Sequence, residues 1–346
     1  MIDWTHGYAC DWRMYEVDVD TWADGQRLGG FRDASVSRDL TDDAPLIESG
    51  SLHLDAPIGS DVPSRYLRLA MVATQGGASE RVDVCTLRYE RSSATAARGV
   101  DDVTLNGRSV LHPASVANTW LHYGTYAPAG GDAVAIAARM LQSTVQAPVT
   151  YDGTATLASN VVFGRDETVL ASVWRMLSAA GISIRIDGRG RVHVGPRPSD
   201  PALTLDRTSV RLVGADGITR AHDMAGVPNR YIAWAGDVSA TATNEDDGST
   251  SHAARGYWHD MADGSPTLLD GEALDTYAAR RLRELSHVKA TRDYEREWWP
   301  DVTVGDLVRG SVRSVGLDGD MRVVRQSLAC GAGIVVREET EMEVYE

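Results

Sequence analysis

The sequence predicts a mostly β protein that carries an inserted α+β domain. Apolar and polar residues alternate with period two in the stretch 32–90, and this pattern returns after Asp301. Between these two parts, apolar residues recur at helical spacing in 132–143 and 166–181, and a short hairpin follows. The change of periodicity and its return place the α+β domain inside a β-rich chain.

The composition is that of a folded globular protein. Of the 346 residues, 43% are hydrophobic and 24% are charged, which is ordinary usage for globular domains. A chain of this length exceeds one small core, so we expect two or three domains. The formal net charge of -15, from 34 basic and 49 acidic residues, argues against a surface built to bind nucleic-acid phosphates.

The cysteines and the N-terminus bear on the compartment of folding. Cys10, Cys85 and Cys330 are odd in number and widely spaced, which predicts buried free thiols rather than disulfides or zinc ligands. The N-terminus lacks a basic stretch followed by an apolar run, and no window approaches the roughly 20 apolar residues of a membrane span. We therefore expect folding in the cytosol and no membrane-spanning segment.

The first region, residues 1–105, is predicted to be a small β-barrel or sandwich. Apolar and polar residues alternate clearly in Ser51–Leu54 and in Tyr66–Met71. Polar or glycine-bearing breaks separate the strands at the spacing of such a fold, and they lie at 41–44, 59–61 and 76–77.

Residues 106–200 are predicted to form the inserted α+β domain. Asp132 is expected to be the N-cap of a helix that runs to Ser143. A second helix is predicted from about Asp166, with Gly181 as its C-terminal stop. The stretches 182–186 and 192–194 then alternate on either side of a turn at 187–190, which predicts a β-hairpin.

The last region, residues 237–346, is predicted to be a second small β unit with one helix. A strand at Arg230–Ala235 precedes it, and the polar, acidic stretch Thr243–Ser251 is expected to be a loop. A helix is predicted from Asp270 to about Ala290, with acids at its start and arginines further on, the order that the helix dipole favours. Strands are expected from Asp301 to the end of the chain.

These patterns predict a division of the chain into domains. The first β domain, 1–105, is expected to be completed by residues 201–236, so that the α+β domain interrupts it. Composition shifts and proline clusters place boundaries near Leu105, Asp200 and Gly236. We expect no sheet to continue across these boundaries.

No catalytic constellation is recognisable in the sequence. It contains neither Gly-x-Ser-x-Gly nor His-Glu-x-x-His. His252 and His259 flank Tyr257–Trp258 and are interpreted as surface or packing residues, because spacing fixes no third metal ligand. The acidic strings at 18–20 and 245–248 lack the alternation of a calcium loop and are interpreted as solvated loops. We therefore predict no cofactor, no metal site and no enzymatic activity.

Trp298 and Trp299, which precede Pro300, are the candidate interface residues. Exposed tryptophans anchor partner proteins or stack on sugars, whereas buried ones fill a core. Because side chains alternate along a strand, one ring is expected to point inward and the other outward. The outward ring is the candidate interface anchor.

Several stretches, taken in their order and spacing, resemble a known protein family. They are Arg32–Arg38, Leu46–Asp55, Leu105–Leu111, Gly124–Gly130, the hairpin up to Val194, Val227–Arg230, and Pro300–Val308 with Gly305–Asp306. This succession is similar to the tail-tip baseplate-hub proteins of siphophages and prophages, and it covers nearly the whole chain. No single motif is diagnostic, since the weight lies in the order.

The resemblance implies an architecture and an assembly. The family is similar to the central trimeric hub of contractile-phage baseplates, so it implies two small hub β-barrels per chain with an α+β domain inserted in the first. Three chains would close into a ring of six barrels, which adapts the six-fold tail tube to a three-fold tip and forms part of the DNA or effector channel. Many relatives continue into C-terminal extensions with fibres or lysins, whereas this sequence stops at Glu346. Receptor binding and cell-wall digestion are therefore not expected of this chain.

The resemblance also implies partners and a location. The partners are two further copies of the chain in a homotrimer, the distal tail or tail-tube protein, the tip or fibre protein, and the tape-measure protein. DNA is expected to pass through the ring without specific binding. The expected location is the tail tip of the virion, after assembly in the host cytoplasm.

Two alternatives from other functional classes stay open. One is a tail-associated cell-wall hydrolase, whose catalytic acids cannot be paired from sequence alone. The other is a carbohydrate-binding tail module that reads host glycans through its tryptophans. Digestion of purified cell wall would favour the first, and binding on a glycan array would favour the second.

Overall fold

A computed structural model describes residues 2–4, 6–40, 46–56, 65–97, 100–205, 219–223, 226–246, 248–286, 288–300, 302–313 and 317–344. Strands dominate this part of the chain, and most helices lie between Arg108 and Ile182. The predicted fold class, a mostly β protein with an α+β insert, is confirmed. No described helix is long and apolar enough to cross a membrane.

Seven antiparallel strands form the first region. They are β1 (Ala9–Val17), β2 (Asp24–Leu28), β3 (Phe31–Asp39), β4 (Ile47–Ala56), β5 (Arg65–Gln75), β6 (Ala78–Ala97) and β7 (Val100–Arg108). Their order in the sheet is β3-β4-β7-β6-β5-β1-β2. In β3, Ala34 and Val36 are buried while Ser35 and Ser37 are exposed, as a period-two face requires. The predicted strand character of this region is confirmed.

The insert combines four helices with five short strands. In chain order they are α1 (His112–Val116), α2 (Thr119–His122), β8 (Tyr126–Ala127), α3 (Ala133–Gln142), β9 (Val149–Tyr151), β10 (Val161–Val162), α4 (Val169–Ala179), β11 (Ile182–Ile186) and β12 (Val192–Pro196). Asp132 caps α3 as predicted, because its side chain accepts the backbone N–H of Val134 at 3.0 Å. Thr168 caps α4, so this helix begins slightly later than the predicted Asp166. Gly181 follows α4 with a φ of +67°, a conformation that glycine adopts without strain.

The predicted hairpin and its turn are present, but the second strand continues to Pro196, beyond the predicted Val194. Strands β11 and β12 pair antiparallel with Ile184 opposite Val194. The N–H of Gly190 donates to the Asp187 carbonyl at 2.8 Å and closes the turn. Strand β9 joins the other edge of β12 in parallel, which makes a three-stranded sheet.

The rest of the chain adds nine strands and two helices. In chain order they are β13 (Pro201–Leu205), β14 (Thr219–Asp223), β15 (Arg230–Ala235), β16 (Val238–Thr243), α5 (His252–Arg255), β17 (Asp260–Asp263), α6 (Leu274–Ser286), β18 (Val288–Glu297), β19 (Leu307–Val312), β20 (Leu317–Cys330) and β21 (Ile334–Val344). Strands β13 and β14 pair with β19 and β18, respectively. The strands of 201–223 therefore join the last region, whereas we expected 201–236 to complete the first.

One sheet connects the first and last regions. Strand β20 pairs antiparallel with β3, from Arg325 opposite Asp39 to Cys330 opposite Ala34. The result is a single 13-stranded sheet, and β7 runs straight through the predicted boundary at Leu105. Our expectation that no sheet crosses the boundaries is wrong, because alternation shows which face of a strand is buried but not which strand lies beside it. The division into two barrels and an insert stays a prediction.

The helix predicted at 270–290 packs on a small separate sheet. Strands β16, β15 and β17 form this sheet, and α6 packs on it through Tyr277, Ala278 and Leu282. The helix ends at Ser286, and Val288 already starts β18. In the stretch predicted as a loop, 243–251, Thr243 ends β16, and 244–246 and 248–251 lie between β16 and α5, with Ser251 capping α5. Asp247 lies outside the described residues.

Two larger hydrophobic clusters hold the remaining elements together. One joins residues of the first region to the end of the chain and includes Leu52, Leu69, Leu105, Trp298, Leu328 and Val336. The other joins the insert to the last region and includes Met140, Val173, Ile184, Val304 and Val308. Burial of such side chains stabilises a fold by about 1.5–3 kcal/mol each, so the insert is held by a core that it shares.

Candidate interface site

Trp298 and Trp299 lie directly after β18. The Trp298 ring is 3% exposed and stands edge-on to Trp4, with the ring centroids 5.7 Å apart. Trp299 is partly exposed and packs against both of the larger clusters. Trp298 is thus a core residue, and Trp299 is the ring that remains a candidate anchor.

Trp299 lines a cleft of about 810 Å³. Four segments build this cleft: Ile2–Trp4, Glu80–Asp83 on β6, the hairpin turn Asp187–Arg189, and Trp299–Pro300. Ligand pockets in proteins span roughly 300–1,000 Å³, so the cleft is large enough for a small molecule or a short peptide segment. Because the segments come from the first region, the insert and the last region, the cleft depends on the packing of all three.

The hairpin turn is fixed on the first region through its backbone. Thr86 Oγ1 donates to the Gly188 carbonyl at 3.0 Å, and Trp22 Nε1 donates to the Arg189 carbonyl at 2.7 Å. A Cβ atom on Gly188 would lie 1.7 Å from the Asp83 carbonyl oxygen. Only glycine therefore permits this close approach of the turn to β6.

A buried polar network crosses the join between β3 and β20. Arg38 donates to Glu48 Oε1 at 2.9 Å and to Gln326 Oε1 at 3.0 Å. Gln326 Nε2 donates to Glu338 Oε1 at 2.9 Å, and Arg296 donates to both Glu338 oxygens, at 2.8 and 2.5 Å. Burial raises the pKa of Glu48, and the Arg38 guanidinium opposes that rise. All five residues are buried, so the network fixes the two β-rich regions against each other.

The outer face of the same strands carries small side chains, most of which bear hydroxyls. We call this surface, which runs across β20, β3, β4 and β7, the hydroxyl face. One row of it consists of Ser327, Ser37, Ser49 and Arg108, and the next row consists of Ala329, Ser35, Ser51 and Asn106. The Ser35 and Ser51 hydroxyls lie 2.9 Å apart. Ion pairs such as Arg325 with Asp39 and Arg337 with Asp293 flank the face. Its centre offers hydroxyls to a neighbour.

The histidines and acidic strings singled out in the sequence do not converge on a metal site. The His252 ring stacks on Trp258 with centroids 3.9 Å apart. Asp18 accepts the backbone N–H groups of Asp20 and Thr21 at 3.0 and 2.9 Å, which makes it a turn residue. Across the described ranges, no group of three or more His, Cys, Asp or Glu side chains is placed to hold a metal ion.

A cross-strand arrangement that the sequence did not reveal joins β9 and β12. Thr150 Oγ1 lies 3.1 Å from His193 Nδ1, and Asp152 Oδ1 lies 3.1 Å from His193 Nε2. These types of side chain form hydrolytic triads, but there the carboxylate is buried and holds the imidazole. Here the His193 and Asp152 side chains are 43% and 65% exposed, so water solvates the pair. We interpret it as a brace between strands, which could be found from sequence only by knowing that β9 and β12 pair.

Solved structures similar to this chain extend over nearly its whole length. The tail protein from Neisseria meningitidis MC58 matches with a TM-score of 0.66 at 12% sequence identity, covering 97% of this chain and 96% of that chain. The 43 kDa tail protein of prophage MuSo2 from Shewanella oneidensis matches with a TM-score of 0.61 at 12% identity, covering 95% and 97%. The E. coli c3393 protein, a type VI secretion system component with structural similarity to the T4 bacteriophage tail proteins gp27 and gp5, matches with a TM-score of 0.52 at 11% identity, covering 92% and 74%.

Comparisons of the sequence, by contrast, found no match. No protein-family model matches the chain, and no curated protein matches it. The structural matches, at 12% identity, are therefore evidence about fold. The chain has the fold of phage and prophage tail proteins, which confirms at the level of fold its resemblance to the tail-tip baseplate-hub family.

Proposed function

We propose that this chain is a structural hub of a phage tail tip or of a tail-derived particle. The observation that carries the proposal is the likeness of fold to a tail protein over 97% of the chain. The role is structural rather than enzymatic. Its place is the tail tip of the virion, reached by assembly in the host cytoplasm.

In the proposed assembly, three copies close into a ring that adapts a six-fold tail tube to a three-fold tip. Each copy supplies two β-rich regions at alternating positions, and the buried network from Arg38 to Glu338 holds their relative orientation. In the described chain, three strands of the large sheet have only one neighbour: β2, β13 and β14. Open strand edges need partners, and a cyclic assembly covers them without forming a filament.

The ring also forms part of a channel in this proposal. The serines at the centre of the hydroxyl face are suited to the wall of such a channel, because they offer no positive charge to DNA phosphates, whereas Arg108 lies at the β7 end of one row. The remaining proposed partners are the distal tail or tail-tube protein, the tip or fibre protein, and the tape-measure protein. DNA passes without specific binding.

The mass of the protein in solution tests this proposal. The chain is 37.4 kDa, and light scattering is expected to give three times that mass, either for the pure protein or after co-expression with the distal tail protein. Electron microscopy should then show a ring with approximate six-fold symmetry. Two-fold closure, or a monomer in both preparations, would contradict the hub.

A cell-wall assay addresses the hydrolase alternative. The proposal expects no fall in the turbidity of purified peptidoglycan after the protein is added. A fall that stops when a single acidic residue is changed would assign the chain an enzymatic role instead.

A further inference from the structure

The cleft beside Trp299 carries more negative than positive side chains. Its charged lining residues are the acids Asp3, Glu80, Asp83 and Asp187 and the bases Arg81 and Arg189. Both arginines are already engaged with Asp83, Arg81 at 2.6 Å and Arg189 at 3.4 Å. Arg81 also binds Asp24 at 2.7 Å. The four acids and two arginines give the lining a formal net charge of -2. The other three acids also have partners, since Asp3 lies 2.9 Å from His6 Nδ1, Glu80 accepts the Ile2 N–H at 3.3 Å and Asp187 pairs with Arg191.

One of these acids, Asp187, forms an exposed ion pair with Arg191, whose backbone N–H also donates to Asp187 Oδ1 at 2.9 Å. Its Oδ2 lies 2.7 Å from Arg191, and the two side chains are 55% (Arg191) and 40% (Asp187) exposed. Ion pairs this exposed are weak, so the guanidinium group of another molecule can compete with that of Arg191 for Asp187 Oδ2. The hairpin backbone, in contrast, is fixed by Thr86 and Trp22, which keeps Asp187 at the cleft.

Trp299 gives the cleft an aromatic wall. Arginine stacks on tryptophan faces while its N–H groups bind carboxylates, which lysine does less well. The chain already contains this combination elsewhere. Arg230 lies 4.9 Å over the Trp258 ring and donates to both Asp260 oxygens at 2.6 Å.

We propose that the cleft binds an extended, arginine-bearing segment of a neighbouring tail protein, with an arginine side chain between Trp299 and Asp187. The proposal rests on the hub function for the nature of the partner. The volume of about 810 Å³ exceeds what one side chain fills, so a short peptide segment is the fitting occupant. The excess of acids in the lining selects a basic segment over an acidic one.

Fluorescence anisotropy with a defined peptide tests the cleft on the full chain. The probe is fluorescein-labelled Arg-Pro-Arg-Pro-Arg, and the matched control peptide is Glu-Pro-Glu-Pro-Glu. The basic peptide is expected to bind and the acidic one not to bind. Binding should weaken about tenfold in Trp299→Leu and be largely restored in Trp299→Tyr, because the stacking surface returns. Asp187→Asn should weaken it several-fold.

Two variants outside the cleft provide matched controls. Trp234→Leu removes another exposed indole, and Asp320→Asn removes the acid of another surface pair. Neither is expected to change the affinity, and losses equal to those of Trp299→Leu and Asp187→Asn would mean that the peptide binds only to overall negative charge. That result, or an unchanged affinity in Trp299→Leu, would overturn the proposal.

Other occupants give distinct results. Binding of chitohexaose that displaces the peptide and depends on Trp299 would overturn the proposal in favour of a glycan. Self-association that depends on Trp299, without peptide binding, would do so in favour of a second copy of the chain. If the ring forms but the peptide does not bind, only the cleft proposal fails. If the peptide binds but no ring forms, the hub function fails, while the cleft stands as a binding site for a basic peptide.

Discussion

Arg296 on β18 and Glu338 on β21 form a buried ion pair between diagonal positions, since Arg296 lies opposite Val336 and Glu338 opposite Tyr294. Their atoms Nη2 and Oε1 lie 2.5 Å apart, and the side chains are 1% and 0% exposed. The Tyr294 hydroxyl donates to Glu338 at 3.2 Å, and Gln326 adds a further hydrogen bond. A buried charge costs several kcal/mol unless it is paired and fully hydrogen-bonded, and Glu338 meets both conditions.

Removing one partner of this pair should strongly destabilise the protein. We expect Arg296→Met to lower the free energy of unfolding by about 3–5 kcal/mol, because Glu338 is left buried without its counter-ion. Arg309→Met is the matched control, since the pair of Arg309 with Asp320 is 54% and 42% exposed and should contribute about 1 kcal/mol or less. Urea unfolding measures both. Equal losses would show that burial of Glu338 is incomplete.

The close approach of Gly188 to β6 makes a second prediction about stability. Gly188→Ala must displace the hairpin turn from the Asp83 carbonyl, and overpacking of this kind costs about 1–3 kcal/mol or more. Gly7→Ala meets no atom within 4 Å and should stay within about 0.5 kcal/mol of the parent. Thermal unfolding compares the two variants. A neutral Gly188→Ala would mean that the turn does not dock on β6.

The three cysteines should differ in reactivity. Cys85 and Cys330 are 0% and 2% exposed, and burial raises the pKa of Cys330 to about 12. Cys10 is partly exposed, and its thiol donates to the Ala332 carbonyl at 3.1 Å. A thiol reagent at pH 8 should therefore modify Cys10 alone in the native protein and all three after unfolding. Rapid modification that persists in Cys10→Ser would contradict this arrangement.

The sequence predicted the local structure of the chain well and its long-range pairing poorly. The Asp132 cap and the turn at Asp187–Gly190 depend on neighbouring residues, and both are present. The pairing of β20 with β3 joins strands about 290 positions apart, such as Gln326 with Arg38. Period two marks the buried face of a strand but does not choose its neighbour, so this join could not be predicted.

The same contrast between local and long-range features holds for the candidate site. The expectation of one inward and one outward tryptophan concerns two adjacent residues, and the structure has Trp298 3% exposed and Trp299 partly exposed just after β18. Their role at an interface stays a prediction. The cleft around Trp299 needs Ile2–Trp4, β6 and the hairpin turn, which meet only in the folded chain. In the sequence, Gly188 has the features of an ordinary turn glycine. Its close contact with the Asp83 carbonyl arises only when the hairpin turn packs against β6 in the folded chain.

The hydroxyl face gives a prediction about DNA passage through the ring that we propose. Ser37 and Ser49 are paired neighbours on β3 and β4, and both are exposed, so Ser37→Arg with Ser49→Arg should lower the unfolding temperature only slightly, through repulsion between the new arginines and with Arg108 opposite Ser49. In particles carrying this double variant we expect normal tail assembly but about tenfold fewer infections per particle, because guanidinium groups bind passing DNA phosphates. The loss should shrink at higher salt, since counterions compete for phosphate.

The matched control is Ser37→Asp with Ser49→Asp, which changes the net charge by the same amount in the opposite direction and does not attract DNA. Infectivity counted against particles seen by electron microscopy measures the effect, and equal infectivity of all three forms would show that this face does not line the passage.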